Sequence, residues 1–204
     1  MYLKNKGFHM RYRYLVPVIA LVLCLVSCKD SKNKKEVDTF GADTFHTYSI
    51  NGNYNIDVPN FMTGTTGLNE EASLQFQSLI KEAYLLVIDE PKADFEEVYR
   101  DLGQYDDSLS VIQNYRDARL QILSRTTQII HKSANTSRLI HGLNAESVEL
   151  DAKVNGMDNE ISYFLTFING GEKVYMVMGW TLKERKKEHK KTFKTIAESF
   201  RLID

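Results

Sequence analysis

An α+β domain, an antiparallel β-sheet with helices packed on both faces, is what the sequence predicts, and three observations predict it. Glycine turns separate alternating segments early (Asn51-Gly52) and late (Asn155-Gly156, Asn169-Gly170-Gly171). Amphipathic helical patterns lie between these two groups and after the second. Segments 83–88 and 174–178 are apolar on both parities, which requires cover on both sides of a sheet. With 204 residues, 43% hydrophobic and 26% charged, the chain has material for one sizeable core.

His46–Ile50 and Asn53–Val58 alternate around Asn51-Gly52, the dipeptide that best tolerates positive φ at both turn positions, so a type I′ hairpin is expected. Pro59 ends it, since proline cannot donate to a ladder. A Gly/Thr-rich loop, Thr63–Gly67, precedes strands at Ala72–Gln77 and Ala83–Ile88. From Pro91, Phe95, Val98, Tyr99 and Leu102 recur at helical spacing up to Gly103. Asp107-Ser108 is the expected cap of a second helix carrying Leu109, Ile112, Tyr115, Leu120 and Leu123 on one face. Within 125–141, Thr127–Ile130 and Arg138–Ile140 read as strands or strand-loop transitions. Three strands follow, 145–154, 157–168 and 172–182. In the first, Val148, Leu150, Ala152 and Val154 face inward, while Ser147, Glu149, Asp151 and Lys153 are expected on a half-exposed face. A last helix from about Lys183 to Phe200 places Phe193, Ile196, Ala197 and Phe200 on one side. It should cover one face, and the two central helices the other.

The first 28 residues depart from this pattern. Lys4, Lys6, Arg11 and Arg13 precede a 12-residue apolar run, Leu15–Val26, then Ser27 and Cys28. That is the architecture of a signal peptide. Twelve helical residues cover roughly 18 Å against the roughly 30 Å of a hydrocarbon core, which disfavours a permanent span. Met10 offers a second start with a basic segment of more usual length. Leu25-Val26-Ser27-Cys28 resembles the bacterial lipobox, and the resemblance implies a diacylglyceryl thioether on Cys28, cleavage before it and acylation of the new amino group. A plain secretory signal, or an apolar helix burying Cys28, is the alternative. With two or three acyl chains, at about 0.8 kcal/mol per buried methylene, the protein would stay on a membrane. Cleavage would remove Cys24 and leave no thiol in the folded part, excluding disulfide, CxxC and cysteine-nucleophile chemistry. It would also leave 22 basic against 27 acidic side chains, a formal charge of −5 that argues against general nucleic-acid binding. Three parts are expected: a signal over 1–27, a lipidated cysteine and flexible tether over 28–43, and one globular domain over 44–204.

The order of elements resembles the PsbP-like fold. Tyr48–Pro59 carries the likeness as the opening hairpin, Phe164–Trp180 as the late hairpin, and Ile196–Phe200 as the close of the last helix. Asn60-Phe61 stands where members often have a Gly-Trp pair. The resemblance implies an α/β/α sandwich acting as a binding or assembly subunit without a shared catalytic site.

No serine elbow, zinc helix, P-loop, dinucleotide fingerprint or calcium loop is present. His46, His131, His141 and His189 do not pair at metal-ligand spacing, so no metal or cofactor is expected. Asp94, Glu96 and Glu97 read as helix-dipole complements, Asp106-Asp107 as loop and cap. Asp89 and Glu90, adjacent on a strand, point apart and make a poor acid/base pair. The most unusual patch is basic: Lys183, Arg185, Lys186, Lys187, Lys190, Lys191 and Lys194, read as a solvated helix face or a contact surface for anionic headgroups, polysaccharide or an acidic partner. Tyr54, Tyr163 and Tyr175 are candidates to line a groove, against ordinary core packing.

The function expected is therefore non-catalytic: a lipid-anchored envelope domain that binds or assembles with another envelope protein. The alternatives are a module taking a small ligand or glycan beside the sheet, and a hydrolase without a linear motif. By analogy with enterobacterial lipoproteins, Lys29 after the lipidated cysteine suggests the outer membrane, while the Lys29-Asp30 start also resembles surface-export signals of some groups, so the leaflet stays open.

Overall fold

The computed structural model describes residues 44–203. The signal, Cys28 and the tether fall outside these residues.

The opening hairpin forms as expected. Strands β1 (Phe45–Ile50) and β2 (Tyr54–Pro59) are antiparallel, Asn51 and Gly52 hold φ of 51° and 68°, and the Asn53 N–H donates to the Ile50 carbonyl at 2.9 Å. The hairpin does not join the main sheet, however. It pairs with a two-residue terminal strand, β11 (Arg201–Leu202), and the three make a separate small sheet. Alternation explains this: Tyr54, Ile56 and Val58 are buried while Asn55 and Asp57 are not. That suits a cover layer better than a central strand.

The main sheet comprises β3 (Thr63–Gly64), β4 (Ala72–Ser78), β5 (Ala83–Pro91), β6 (Thr127–Lys132), β7 (Thr136–Ile140), β8 (Leu143–Val154), β9 (Glu160–Asn169) and β10 (Lys173–Leu182). Its order is β3-β4-β5-β10-β9-β8-β6, with β7 also on β8 and every pairing antiparallel. The ambiguous stretch thus supplies two strands that share one edge of β8. Between them Ser133 takes over the ladder: its N–H donates to the Glu149 carbonyl at 2.9 Å, and its Oγ accepts the Glu149 N–H at 3.0 Å.

Helices α1 (Lys92–Asp101) and α2 (Val111–Ser124) lie between β5 and β6; α3 (Lys186–Glu198) follows a short 3-10 turn at Lys183–Arg185. Pro91 caps α1, and Gly103, at φ 63°, closes the turn after it. The cap of α2 is Ser110 and not the expected Asp107-Ser108. Ser110 Oγ accepts the Gln113 N–H at 3.4 Å while Gln113 Oε1 accepts the Ser110 N–H at 3.0 Å, a reciprocal capping box. Asp106 instead accepts from Ser108 in a local turn, and Asp107 pairs with Arg100.

Two apolar clusters divide the side chains of the central strands by parity. Leu86, Ile88, Val174 and Met176 pack with Phe95, Ile112 and Tyr115 of α1 and α2. Leu85, Val87, Tyr175 and Val177 pack with Phe193 and Ile196 of α3, with Phe200, and with Tyr54 and Ile56 of the small sheet. This is why β5 is apolar on both parities. The proposed groove tyrosines belong here. Tyr54, Tyr163 and Tyr175 are buried, Tyr54 stacks on Phe200 at 5.0 Å, and burial pushes the Tyr175 phenol up to about 12. They are core residues.

Candidate functional site: the groove beside the last helix

The site begins with a missing Cβ. Gly179, in β10, lies directly under Phe193 of α3; a Cβ there would sit 2.2 Å from Phe193 Cδ1. Phe193 can therefore lie on the strand and against Phe164, with ring centroids 5.2 Å apart. This draws α3 towards β9 and β10 and leaves the β7–β8 side of the same face open. A groove of about 100 Å³ results, with Lys190 and Lys194 on one wall, Ser133, Thr136 and Arg138 on the other, and Phe164 and Thr166 in its lining. Ser147 and Thr166, also in the lining, share a hydrogen bond of 2.9 Å. Arg138 Nη1 donates to Glu198 at 3.1 Å, but its buried Nε has no hydrogen-bond partner among the described residues. Beyond the groove, β7 pairs only with β8 among the described residues, and Leu139 on it is 68% exposed.

The basic run of the last helix is largely matched by carboxylates distant in sequence. Lys186 binds Asp151 at 2.7 Å and Glu149 at 3.8 Å, and Lys190 binds Glu149 at 2.7 Å. Lys183 pairs with Glu160, Arg185 with Glu82 and Glu188, and Lys194 with Glu198. Lys187 is exposed and outside every ion pair among the described residues; Lys191 is exposed as well. So the polar face of β8 does not simply meet solvent. Burial alone would raise Asp151, yet hydrogen bonds from Lys186 and Ser162 and the nearby lysine charges hold its carboxyl below the usual range.

The remaining candidates separate. Asp89 accepts from Lys173 at 2.6 Å and Glu90 from Arg119, so each carboxylate has its own cation. Arg119 also reaches the Tyr115 hydroxyl at 3.1 Å and Glu71 at 3.7 Å, on the wall of a shallow trough of about 370 Å³ with Ile88, Phe95 and Tyr99. Of Asp94, Glu96 and Glu97, only Asp94 lies in the first turn of α1. Among the described residues no cluster of three His, Cys, Asp or Glu could hold a metal, and no helix is long and apolar enough to cross a membrane.

His189 is fully buried, its Nε2 2.9 Å from the Lys81 carbonyl. Burial lowers its pKa, offset in part by that carbonyl and by Glu188. The unfolded chain, with histidine near about 6.5, then binds more protons than the native one, so stability is full above that pH and falls as pH drops below it. Denaturation midpoints from pH 8 to 5.5 should decline, and His189→Gln should flatten the slope. An equal slope in the variant would assign the sensitivity elsewhere.

No protein-family model matches the sequence, and no curated protein does. Solved structures do. LpqN, involved in cell envelope biogenesis of Mycobacterium tuberculosis, is similar at a TM-score of 0.50 and 12% identity, over 79% of this chain and 91% of that one. Cyanobacterial PsbP from Synechocystis sp. PCC 6803 gives 0.47 and 17%, over 79% and 94%. The Saccharomyces cerevisiae Ran-binding protein Mog1p gives 0.47 and 8%, over 79% and 96%. The likeness to LpqN shows the fold alone, a mostly antiparallel β architecture with three helices; the two at 0.47 carry no weight beyond it.

Proposed function

We propose that this chain is a lipid-anchored envelope protein, held on the membrane by acyl chains on Cys28, whose PsbP-like α/β/α domain binds a partner protein without catalysis. The observation that carries the reading is the groove beside α3 joined to the open edge of β7. An extended segment added along β7 would satisfy that strand's outer N–H and C=O groups and lay alternate side chains over the groove. Arg138 offers a polar contact on the groove side, and exposed Leu139 an apolar one on the opposite face of the same strand. At about 100 Å³ the groove takes one inserted side chain and falls short of the several hundred Å³ of a small-ligand site. In the larger trough Arg119 is already committed to Glu90. An outer-membrane address follows from Lys29 by the same analogy as before.

The test is site-specific photocrosslinking in native envelopes. A photoreactive residue at Leu139 or Thr136 should give a discrete adduct that the same residue at Val98, exposed on α1, does not. No adduct at either β7 position, or the same adduct from Val98, would refute the assignment.

A further inference from the structure

One end of the main sheet gathers apolar side chains at the surface. The turn between β4 and β5 presents Leu79 at 68% and Ile80 at 93% exposure. It is held in place: Arg185 Nη1 donates to the Ile80 carbonyl at 3.2 Å and pairs with Glu82 at 3.5 Å, and His189 Nε2 lies 2.9 Å from the Lys81 carbonyl. The turn's backbone is thus fastened to the start of α3, while its two large apolar side chains project away from any core. Beside it, Tyr84 and Trp180 sit opposite each other in register and stack at 5.3 Å, both half-buried. Trp180 is the sole tryptophan of the chain. Paired amphipathic aromatics next to exposed aliphatic residues are the composition of a membrane–water interface.

The described chain also starts at this end. The Thr44 carbonyl accepts the Asn60 N–H at 2.7 Å, and the next residue, Phe61, holds the Lys81 ammonium 4.4 Å from its ring centroid. Thr44, where the described residues begin, therefore lies near the apolar turn. Lys187, exposed in the first turn of α3 and outside every ion pair among the described residues, is a charge that anionic headgroups would complement.

We infer that this end of the domain rests on the bilayer, with the Leu79-Ile80 turn dipping into the headgroup region of an anionic membrane. It rests on the lipid anchor at Cys28. The opposite end of the sheet, with the β7–β8 and β9–β10 turns, then faces away from the membrane, which leaves β7 accessible to a partner.

The experiment uses the mature lipidated chain in vesicles of phosphatidylethanolamine and phosphatidylglycerol. An environment-sensitive dye is attached at Ile80→Cys or Leu79→Cys and, in a separate chain, at Glu172→Cys, exposed in the β9–β10 turn at the far end. With Cys28 carrying lipid and Cys24 removed, the introduced thiol takes one dye per chain. Nitroxide lipids should quench the dye at 80 and at 79 several-fold more than at 172, with a blue-shifted emission at 80. Flotation with one dye per chain but equal quenching at all three positions overturns the bilayer contact and leaves the anchor standing. More than one dye per chain with failure to float overturns the anchor, and the contact with it.

Discussion

Arg116→Leu is expected to destabilise the domain by about 3–5 kcal/mol, because it strands a carboxylate that has been taken out of water. Arg116, on α2, donates from Nη1 to Glu146 Oε2 of β8 at 3.0 Å, and both side chains are more than nine-tenths buried. Without the guanidinium, Glu146 retains only the Ser137 hydroxyl at 2.6 Å. The converse change should be milder. In Glu146→Gln, Arg116 keeps its bidentate contact to Asp117 at 2.8 and 3.0 Å, and a neutral amide replaces the charge. Replacing both partners, as Arg116→Met with Glu146→Leu, should recover most of the loss, since neither charge then needs solvation. Urea unfolding of Arg116→Met, Glu146→Leu and the double variant closes the cycle. Additive losses in the double variant would mean that the pair is not coupled across the α2–β8 interface.

Gly179→Ala should cost about 2–3 kcal/mol although it adds a single methyl group. Ordinary carbon contacts lie at about 3.5–4.0 Å, and the new Cβ would meet three Phe193 ring atoms at 2.2, 2.7 and 2.7 Å. The ring cannot swing clear, because Phe193 is buried and rests on Phe164. α3 must lift instead, opening the face that Leu85 and Val177 share with it. Phe193→Leu in the Gly179→Ala background should restore part of the loss while being harmful alone. A Gly179→Ala domain as stable as the parent would show that α3 is not seated by this contact.

Local chemistry was legible and distant chemistry was not. Asn51-Gly52 announced its turn because two consecutive positive φ values select that dipeptide. The tight turn between β7 and β8 uses His141 and Gly142 at φ 46° and 84°, but histidine is an unusual first residue, so the strands around it stayed ambiguous. The cap at Ser110 was readable in principle from its spacing to Gln113, but two acidic residues just upstream present a competing cap signal. Gly179 carried the general signal of a glycine inside a strand, a close approach by something else, without saying by what. The basic run of α3 misled most. Its partners Glu149 and Asp151 lie 35 or more residues earlier, Lys186 and Asp151 being separated by 35, and no periodicity within the helix encodes them. For the same reason the separate small sheet was missed, since β2 finds its second neighbour in the last residues of the chain.

That last pairing sets an order of events. Asp57 N–H binds Ser199 Oγ across 142 residues, and Ile203 N–H binds the Asn53 carbonyl at 3.0 Å. The β5–β10 pairing likewise joins residues 84 apart, as in Lys173 to Asp89. A polypeptide emerging N-terminus first thus has no finished layer for its opening hairpin until its final residues arrive, and its two central strands cannot meet until β10 is made. Such long-range pairing folds slowly. Under the envelope function proposed above, a chain threaded through a membrane while still unfolded would gain time from this topology.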